Sequence, residues 1–325
     1  MRPFKYSKAT NAAGAAKAVA GNKNAKFLSG GTNILDLMKE DVARPDELVD
    51  INGIASSQIR STPAGISVGA LAKNTDTANH PLVRENYPLL SQAILAGASE
   101  QIRNMATNGG NVMQQVRCLY FYDTAVNCNR REPGSGCSAI VGLNRTYAIL
   151  GWSEHCVAVN PSDMAVALAA LDTKVNIQMA DGKTRTIPFT ELHRLPGDAP
   201  HDDKALAHGE MITSFEIPKN KFAANSYYVK VRDRASYSFA LVSVAAALEL
   251  NGKTITTARI ALGGVANKPW RAFDAEKFLA GKAATKENFE KAAELELKSA
   301  RPLEFNEYKI ELSKRAIVRA LEKAV

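Results

Sequence analysis

Four cysteines, Cys118, Cys128, Cys137 and Cys156, lie close together, and the rest of the chain has none. Their spacing is Cys-x9-Cys-x8-Cys-x18-Cys. Four gathered thiols can hold an iron–sulfur cluster, hold zinc, or form two disulfides. No pair has the C-x2-C spacing usual in zinc ribbons and ferredoxins, so spacing alone leaves all three open. Arg117, Arg130 and Arg131 could balance thiolate charge, or simply be solvated. His155 precedes Cys156 and reads as a neighbour of the site or a surface residue. His80, His193, His201 and His208 are scattered and form no metal pattern.

Four other motifs carry polar chemistry. The run Lys26-Phe27-Leu28-Ser29-Gly30-Gly31-Thr32-Asn33-Ile34 puts two glycines at a strand end. There, backbone N–H groups can turn toward an anion with no Cβ in the way, and Thr32 and Asn33 add donors. Thr107-Asn108-Gly109-Gly110-Asn111 repeats the arrangement. Either run alone could be a plain turn; the pair suggests a ligand whose phosphates are gripped from two sides. Neither is a Walker A loop or a G-x-G-x-x-G fingerprint. Ser162 and Asp163 suit a helix start and could also bond a ligand hydroxyl. Strand alternation places Lys230 and Arg232 on one face, as cations for a ligand or as a solvated edge.

The positioning elements read as α+β. A β-α-β pattern fills the first 52 residues: strands at 4–6, 26–28 and 48–51, helices at 11–20 (capped by Asn11) and 34–39. Further on, 66–69 is strand-like, 75–79 and 89–98 are helical, and 104–111 is a polar loop. The cysteine segment has Pro133-Gly134-Ser135-Gly136 and no periodicity, so it reads as an irregular insertion. Order resumes at 157–159. Ser162 caps a helix 163–171, a hairpin covers 174–187, and 212–217 is a strand. After residue 222 come three antiparallel strands (227–231, 240–250, 254–262) and helices at 272–279, 286–297 and 306–321. The expected domains are therefore 1–221 and 222–325.

Composition is that of a soluble globular protein, with 46% hydrophobic and 23% charged residues. No apolar run reaches the roughly 18 residues of a membrane span. The N-terminal residues lack a hydrophobic signal core and a twin-arginine pair, so no export address is expected in this chain. The charge of +8 is scattered, not the dense stripe of a nucleic-acid binder.

In their order, Lys26–Ile34, Thr107–Asn111, Pro161-Ser162-Asp163 and Lys230 resemble the FAD-binding medium subunits of the molybdenum hydroxylases, the xanthine dehydrogenase and carbon monoxide dehydrogenase group. The resemblance covers essentially the whole chain. It implies a two-part FAD-binding domain of the vanillyl-alcohol-oxidase (PCMH) type, with subdomains at about 1–55 and 56–221. A smaller α+β domain like that of carbon monoxide dehydrogenase flavoproteins follows, with a three-stranded antiparallel sheet and helices. It further implies that Lys26, Phe27, Leu28, Ser29, Gly30, Gly31, Thr32, Asn33, Ile34, Thr107, Gly109, Gly110 and Asn111 hold the pyrophosphate and ribityl regions of FAD. Asp163 would bond the cofactor, Met211 and Ile212 would offer backbone contacts near flavin or adenine, and Lys230 would lie near the isoalloxazine ring.

One departure stands out. Fifty positions separate Asn111 from Ser162, where the family usually has about a dozen, and all four cysteines fall in this extra segment, about 113–160. Arg117–Asp123 and Pro133–Cys137 resemble the flavoprotein subunits of periplasmic aldehyde oxidoreductases, and a similar insertion marks hydroxybenzoyl-CoA reductase flavin subunits. That likeness implies a [4Fe–4S] cluster on Cys118, Cys128, Cys137 and Cys156. It also implies a heterotrimer with a large molybdenum-cofactor subunit and a small [2Fe–2S] subunit. Aldehyde oxidation would occur on the large subunit, and electrons would pass through the [2Fe–2S] clusters to FAD and an external acceptor. No residue here would act as a nucleophile. Alternatives are the flavin subunit of a xanthine or aromatic acyl-CoA enzyme, a stand-alone flavin oxidoreductase, or a zinc-stapled binding module. The periplasm is expected if a partner carries the twin-arginine signal, and the cytoplasm otherwise.

Overall fold

The computed structural model describes residues 1–54 and 57–325. The subdomain boundary expected at 55/56 lies outside the described residues.

Strands β1 (Lys5–Lys8), β2 (Ala25–Leu28) and β3 (Glu47–Asp50) form a parallel sheet in the order β1-β3-β2. The helix Ala12–Ala20 joins β1 to β2 and starts at Asn11, whose side chain accepts from the Gly14 N–H. Its Ala15 and Val19 are buried against Ala25 and Val49. The small Ala faces let the helix lie close to the sheet.

The second sheet is antiparallel, ordered β4-β5-β8-β6-β7. Its strands are β4 (Ile59–Thr62), β5 (Gly65–Gly69), β6 (Lys174–Gln178), β7 (Thr184–Pro188) and β8 (Met211–Pro218). Helix Asp163–Ala170 lies at the centre of the molecule, with every residue buried. A helix apolar all round needs neighbours all round. Helix Pro88–Ala96, the second sheet and the third sheet supply them.

The third sheet has the order β12-β11-β10-β9, with β9 (Ser226–Val231), β10 (Val242–Asn251), β11 (Thr254–Gly263) and β12 (Trp270–Arg271). Strand β10 is covered on both faces. Ala245 and Ala247 pack toward helix Asp163–Ala170, while Val242, Val244, Ala246 and Leu248 pack toward the helices Phe273–Leu279, Lys286–Glu296 and Tyr308–Ala324. Burial on both sides accounts for the nearly apolar run 239–248, interrupted only by Ser243. One core thus crosses the boundary near residue 222.

The structure differs from the sequence expectations in three places. The third sheet has four strands, not three. Its edge, β12, is only two residues long and pairs Arg271 with Ala261 and Trp270 with Leu262, too short to show a period. The polar loop expected at 104–111 is largely helical. Ser99 caps helix Glu100–Met105, and Thr107 caps helix Asn108–Val112. Two glycines at about 1 kcal/mol each hide the second helix from propensity, and tertiary bonds hold it instead. The residues 157–159 form no strand. In the cysteine segment the only helix is Leu119–Tyr122, and the rest is turns and irregular chain with isolated antiparallel bridges at Cys128–Cys137 and Ser153–Cys156.

Candidate cofactor site

Strand β2 delivers Ser29–Asn33 to the tip of the first sheet. The position of Gly30 admits no side chain, because a Cβ would stand 2.1 Å from the Met105 carbonyl oxygen. Gly31 takes φ +76°, a left-handed conformation that glycine adopts without strain. The two glycine loops are tied together directly, with Ser29 Oγ and Thr107 Oγ1 hydrogen-bonded at 2.9 Å. Thr107 Oγ1 also accepts from Gly110 N at 3.2 Å.

Asn108 anchors the second loop from below and is fully buried. Its Nδ2 donates to Thr77 Oγ1 (2.8 Å) and Gly69 O (3.2 Å), and its Oδ1 accepts from Asn74 Nδ2 (2.9 Å). Replacing it with alanine removes three hydrogen bonds from the dry interior; Gly69 O keeps its bond from Ala72 N, and Asn74 Nδ2 keeps only a 3.8 Å contact with Met164 Sδ. Asn108→Ala is expected to cost about 2–4 kcal/mol, since each orphaned buried polar group costs about 1–3. Urea unfolding checks this, and a change under 0.5 kcal/mol would contradict it.

Two clefts meet over these loops, of about 730 and 480 Å3. They share Thr32, Asn33 and Gly110. The larger is lined by Lys26, Phe27, Ser29, Gly30, Gly31, Ile34, Thr107, Gly109, Met211 and Ile212. The smaller is lined by Asn111, Asp163 and Lys230, with Arg117, Arg234 and Phe239 on its wall. Leu28 lines neither cleft, and its side chain lies beneath Gly31. The pair of clefts is shaped for a long ligand with its polar middle at the two glycine loops. Asn33 fits that role: its Oδ1 accepts from Gln115 N at 3.0 Å, while its buried Nδ2, beside the Tyr122 hydroxyl, completes no well-formed hydrogen bond among the described residues.

In the smaller cleft Ser162 caps its helix and donates from Oγ to Asn111 Oδ1 at 2.6 Å. Asp163 accepts from the Tyr228 hydroxyl at 2.7 Å and forms an ion pair with Lys230 Nζ at 2.7 Å. Burial and the adjacent carboxylate push the Tyr228 phenol well above its ordinary pKa, so it stays a donor. Lys230 and Arg232 do share a face, since both donate to the Ala96 carbonyl. Lys230 is therefore a neutralised cation held in place, not a free one. Neither Tyr228 nor its pairing with Asp163 was foreseen from the sequence, because the two are 65 positions apart.

All four cysteines line one small pocket and none forms a disulfide. Burial pushes the Cys118 thiol up to about 11 and raises Cys137 as well, so without a positive partner these groups stay neutral. Asn267 reaches in from the third sheet's domain and donates to Cys156 Sγ at 3.6 Å. Tyr147, fully buried, sets its hydroxyl beside Cys118 and accepts there from Leu119 N at 3.1 Å. Among the described residues no group of three or more His, Cys, Asp or Glu is arranged to hold a single metal ion.

The three arginines separate. Arg130 is buried in the cysteine pocket. Arg131 spends its donors on the Tyr120, Phe121 and Val126 carbonyls. Arg117 pairs with Asp36 at 2.9 Å and lies over the Tyr122 and Phe239 rings. His155 lies on the pocket wall, 3.5 Å from Asp198. Phe121 and Arg130 line both the cysteine pocket and the larger cleft, so the two sites share a wall.

Comparison with known proteins follows this geometry. Residues 2–220 match the FAD binding domain in molybdopterin dehydrogenase, and residues 227–324 match the CO dehydrogenase flavoprotein C-terminal domain. The chain is 45% identical over 327 residues to the aldehyde oxidoreductase FAD-binding subunit PaoB of Escherichia coli (strain K12), covering 100% of this chain and 99% of that one. It is 28% identical to the glyceraldehyde dehydrogenase medium chain of Sulfolobus acidocaldarius, over 86% of this chain and 82% of that one. Among solved structures, carbon monoxide dehydrogenase from Hydrogenophaga pseudoflava aligns with a TM-score of 0.78 at 25% identity, covering 100% of this chain and 98% of the other. Quinoline 2-oxidoreductase from Pseudomonas putida 86 shares the fold, with a TM-score of 0.76 at 23% identity over 99% and 97% of the two chains.

Proposed function

Because this chain belongs to the FAD-binding medium subunits of the molybdenum hydroxylases, we propose that it is the FAD- and [4Fe–4S]-carrying electron-transfer subunit of a molybdenum-dependent aldehyde oxidoreductase. The full-length likeness to an aldehyde oxidoreductase FAD-binding subunit supports the aldehyde class. Its partners are a large molybdenum-cofactor subunit and a small [2Fe–2S] subunit, and a twin-arginine signal on a partner takes the assembly to the periplasm. Among the described residues no helix is long and apolar enough to cross a membrane.

The clefts fit FAD. The glycine loops and Asn33 Nδ2 would receive the pyrophosphate, Met211 and Ile212 would border one end, and the Asp163–Lys230 pair would face the other. The observation that carries the cluster is the meeting of four thiols with a buried guanidinium that has unused donors. Buried thiols lose their protons to a metal cluster, and the resulting negative charge gives Arg130 a charged acceptor. When bound, FAD and a four-iron cluster supply electron acceptance and release, which no side chain here can. The chain's own part is to bind, orient and shield: Gly30 lets the first loop approach the Met105 backbone, Gly31 makes its left-handed turn, Asn108 fixes the second loop, and Phe121 closes the wall.

Cys128→Ser is expected to remove most of the iron while FAD stays bound, since the cysteine pocket and the glycine loops are held by different contacts. Iron analysis and the flavin absorbance of the variant check this. Equal loss of both would show that the insertion instead scaffolds the flavin fold, and unchanged iron would remove Cys128 from the site.

A further inference from the structure

Arg130 is buried, its side chain only 3% exposed, yet it is incompletely used. Its Nη1 pairs with Asp203 Oδ2 at 2.7 Å and reaches Gln115 Oε1 at 3.4 Å. Cys156 faces the guanidinium closely enough to interact with it, yet Nε and Nη2 complete no well-formed hydrogen bond among the described residues. A guanidinium cannot shed its charge, and orphaned buried donors are costly. Asp203 is itself shared with Lys204, so it does not belong to Arg130 alone. The charge on Asp203 is secure, because both cations hold its carboxyl far below the usual range. What remains is a fixed positive group with two unsatisfied donors between the cysteine pocket and the larger cleft.

From this geometry we infer that Arg130 is a positioning residue for the cluster: it donates to the Cys156 thiolate from Nε and Nη2, orients that ligand, and raises the cluster's reduction potential. The inference rests on the [4Fe–4S] reading above. A reduced cluster carries one more negative charge than an oxidised one, so a nearby fixed cation and hydrogen bonds to its sulfurs favour reduction. Burial makes the effect large, because no solvent screens it. The neighbouring Arg131 is the natural control. It carries the same charge one residue along, but it is turned onto backbone carbonyls and does not line the cysteine pocket.

The test is an EPR-monitored redox titration of the full chain in its complex, with iron, acid-labile sulfide and FAD measured on every sample. Arg130→Met is expected to lower the cluster's reduction equilibrium at least tenfold, about 59 mV for a one-electron couple, in samples that carry both cluster and FAD. Arg130→Lys keeps the charge but not the two-donor fork, and is expected to give an intermediate lowering. Arg131→Met is expected to shift it far less than Arg130→Met. An unchanged midpoint in cluster-loaded Arg130→Met overturns the inference, as does an equal shift in Arg131→Met. If Arg130→Met does not retain its cluster, an unchanged midpoint in Arg130→Lys overturns it. Wild-type complex with FAD and zinc in place of iron and sulfide would overturn the cluster reading itself, a separate failure that these analyses identify.

Discussion

Gly30→Ala is expected to lose FAD at least a hundredfold in affinity, about 2.7 kcal/mol. The added Cβ would sit 2.1 Å from the Met105 carbonyl oxygen, 2.9 Å from its carbon and 3.1 Å from Ala106 Cα. All three are backbone atoms, so no side chain can rotate away. The strand must retreat, and the overpacking costs about 1–3 kcal/mol of stability. Retreat also breaks the Ser29–Thr107 bond that joins the two loops, which is why binding falls with stability. Gly182→Ala is the comparison. It has φ +88° with nothing within 4 Å and lies at the exposed β6–β7 turn outside the cleft lining, so it costs backbone strain of about 1–2 kcal/mol and leaves FAD bound. Flavin titration of the apoprotein checks both. Wild-type affinity in Gly30→Ala would contradict the close approach of the loops.

Asp163→Ala is expected to destabilise the protein by about 3–5 kcal/mol, the cost of leaving a buried charge without its partner. The Lys230 and Asp163 side chains are 5% and 7% exposed, so water cannot replace what is removed. The Tyr228 hydroxyl loses its acceptor in the same step. Lys230→Met is expected to cost less, because the carboxylate keeps the tyrosine donor. The double variant is expected to be more stable than the sum of the singles by about 1–3 kcal/mol, the coupling of groups in direct contact. Urea unfolding of all four proteins measures this. A single-variant cost under 0.5 kcal/mol, or strict additivity, would show that the pair is not a unit.

These two predictions differ in how far the sequence alone could reach them. The glycine loops were legible because their constraint is local: a strand end followed by two residues without Cβ. The apolar run through β10 was legible as a buried strand, although its length alone did not say that both faces are covered. The partners of Asp163, Arg130 and Cys156 were not legible. Tyr228, Lys230, Asp203 and Asn267 arrive from strands or loops dozens of positions away, and nothing in their own neighbourhoods marks them as partners. The helix at Asn108–Val112 was missed because Thr107 and the bond from Gly109 N to Ala70 O hold it against a poor propensity. The four cysteines were visible as a group, but their spacing left zinc, disulfides and a cluster open. Folding adds that they are free thiols facing one pocket, beside a buried arginine that shares a wall with the larger cleft.

The proposed state of this chain is FAD and a four-iron cluster held side by side. Its most direct test is the flavin, iron and acid-labile sulfide content of anaerobically purified protein. The expected result is about four iron and four sulfide for each FAD, as a cluster held by four thiolates requires. Full FAD with zinc in place of iron, and no sulfide, would contradict it.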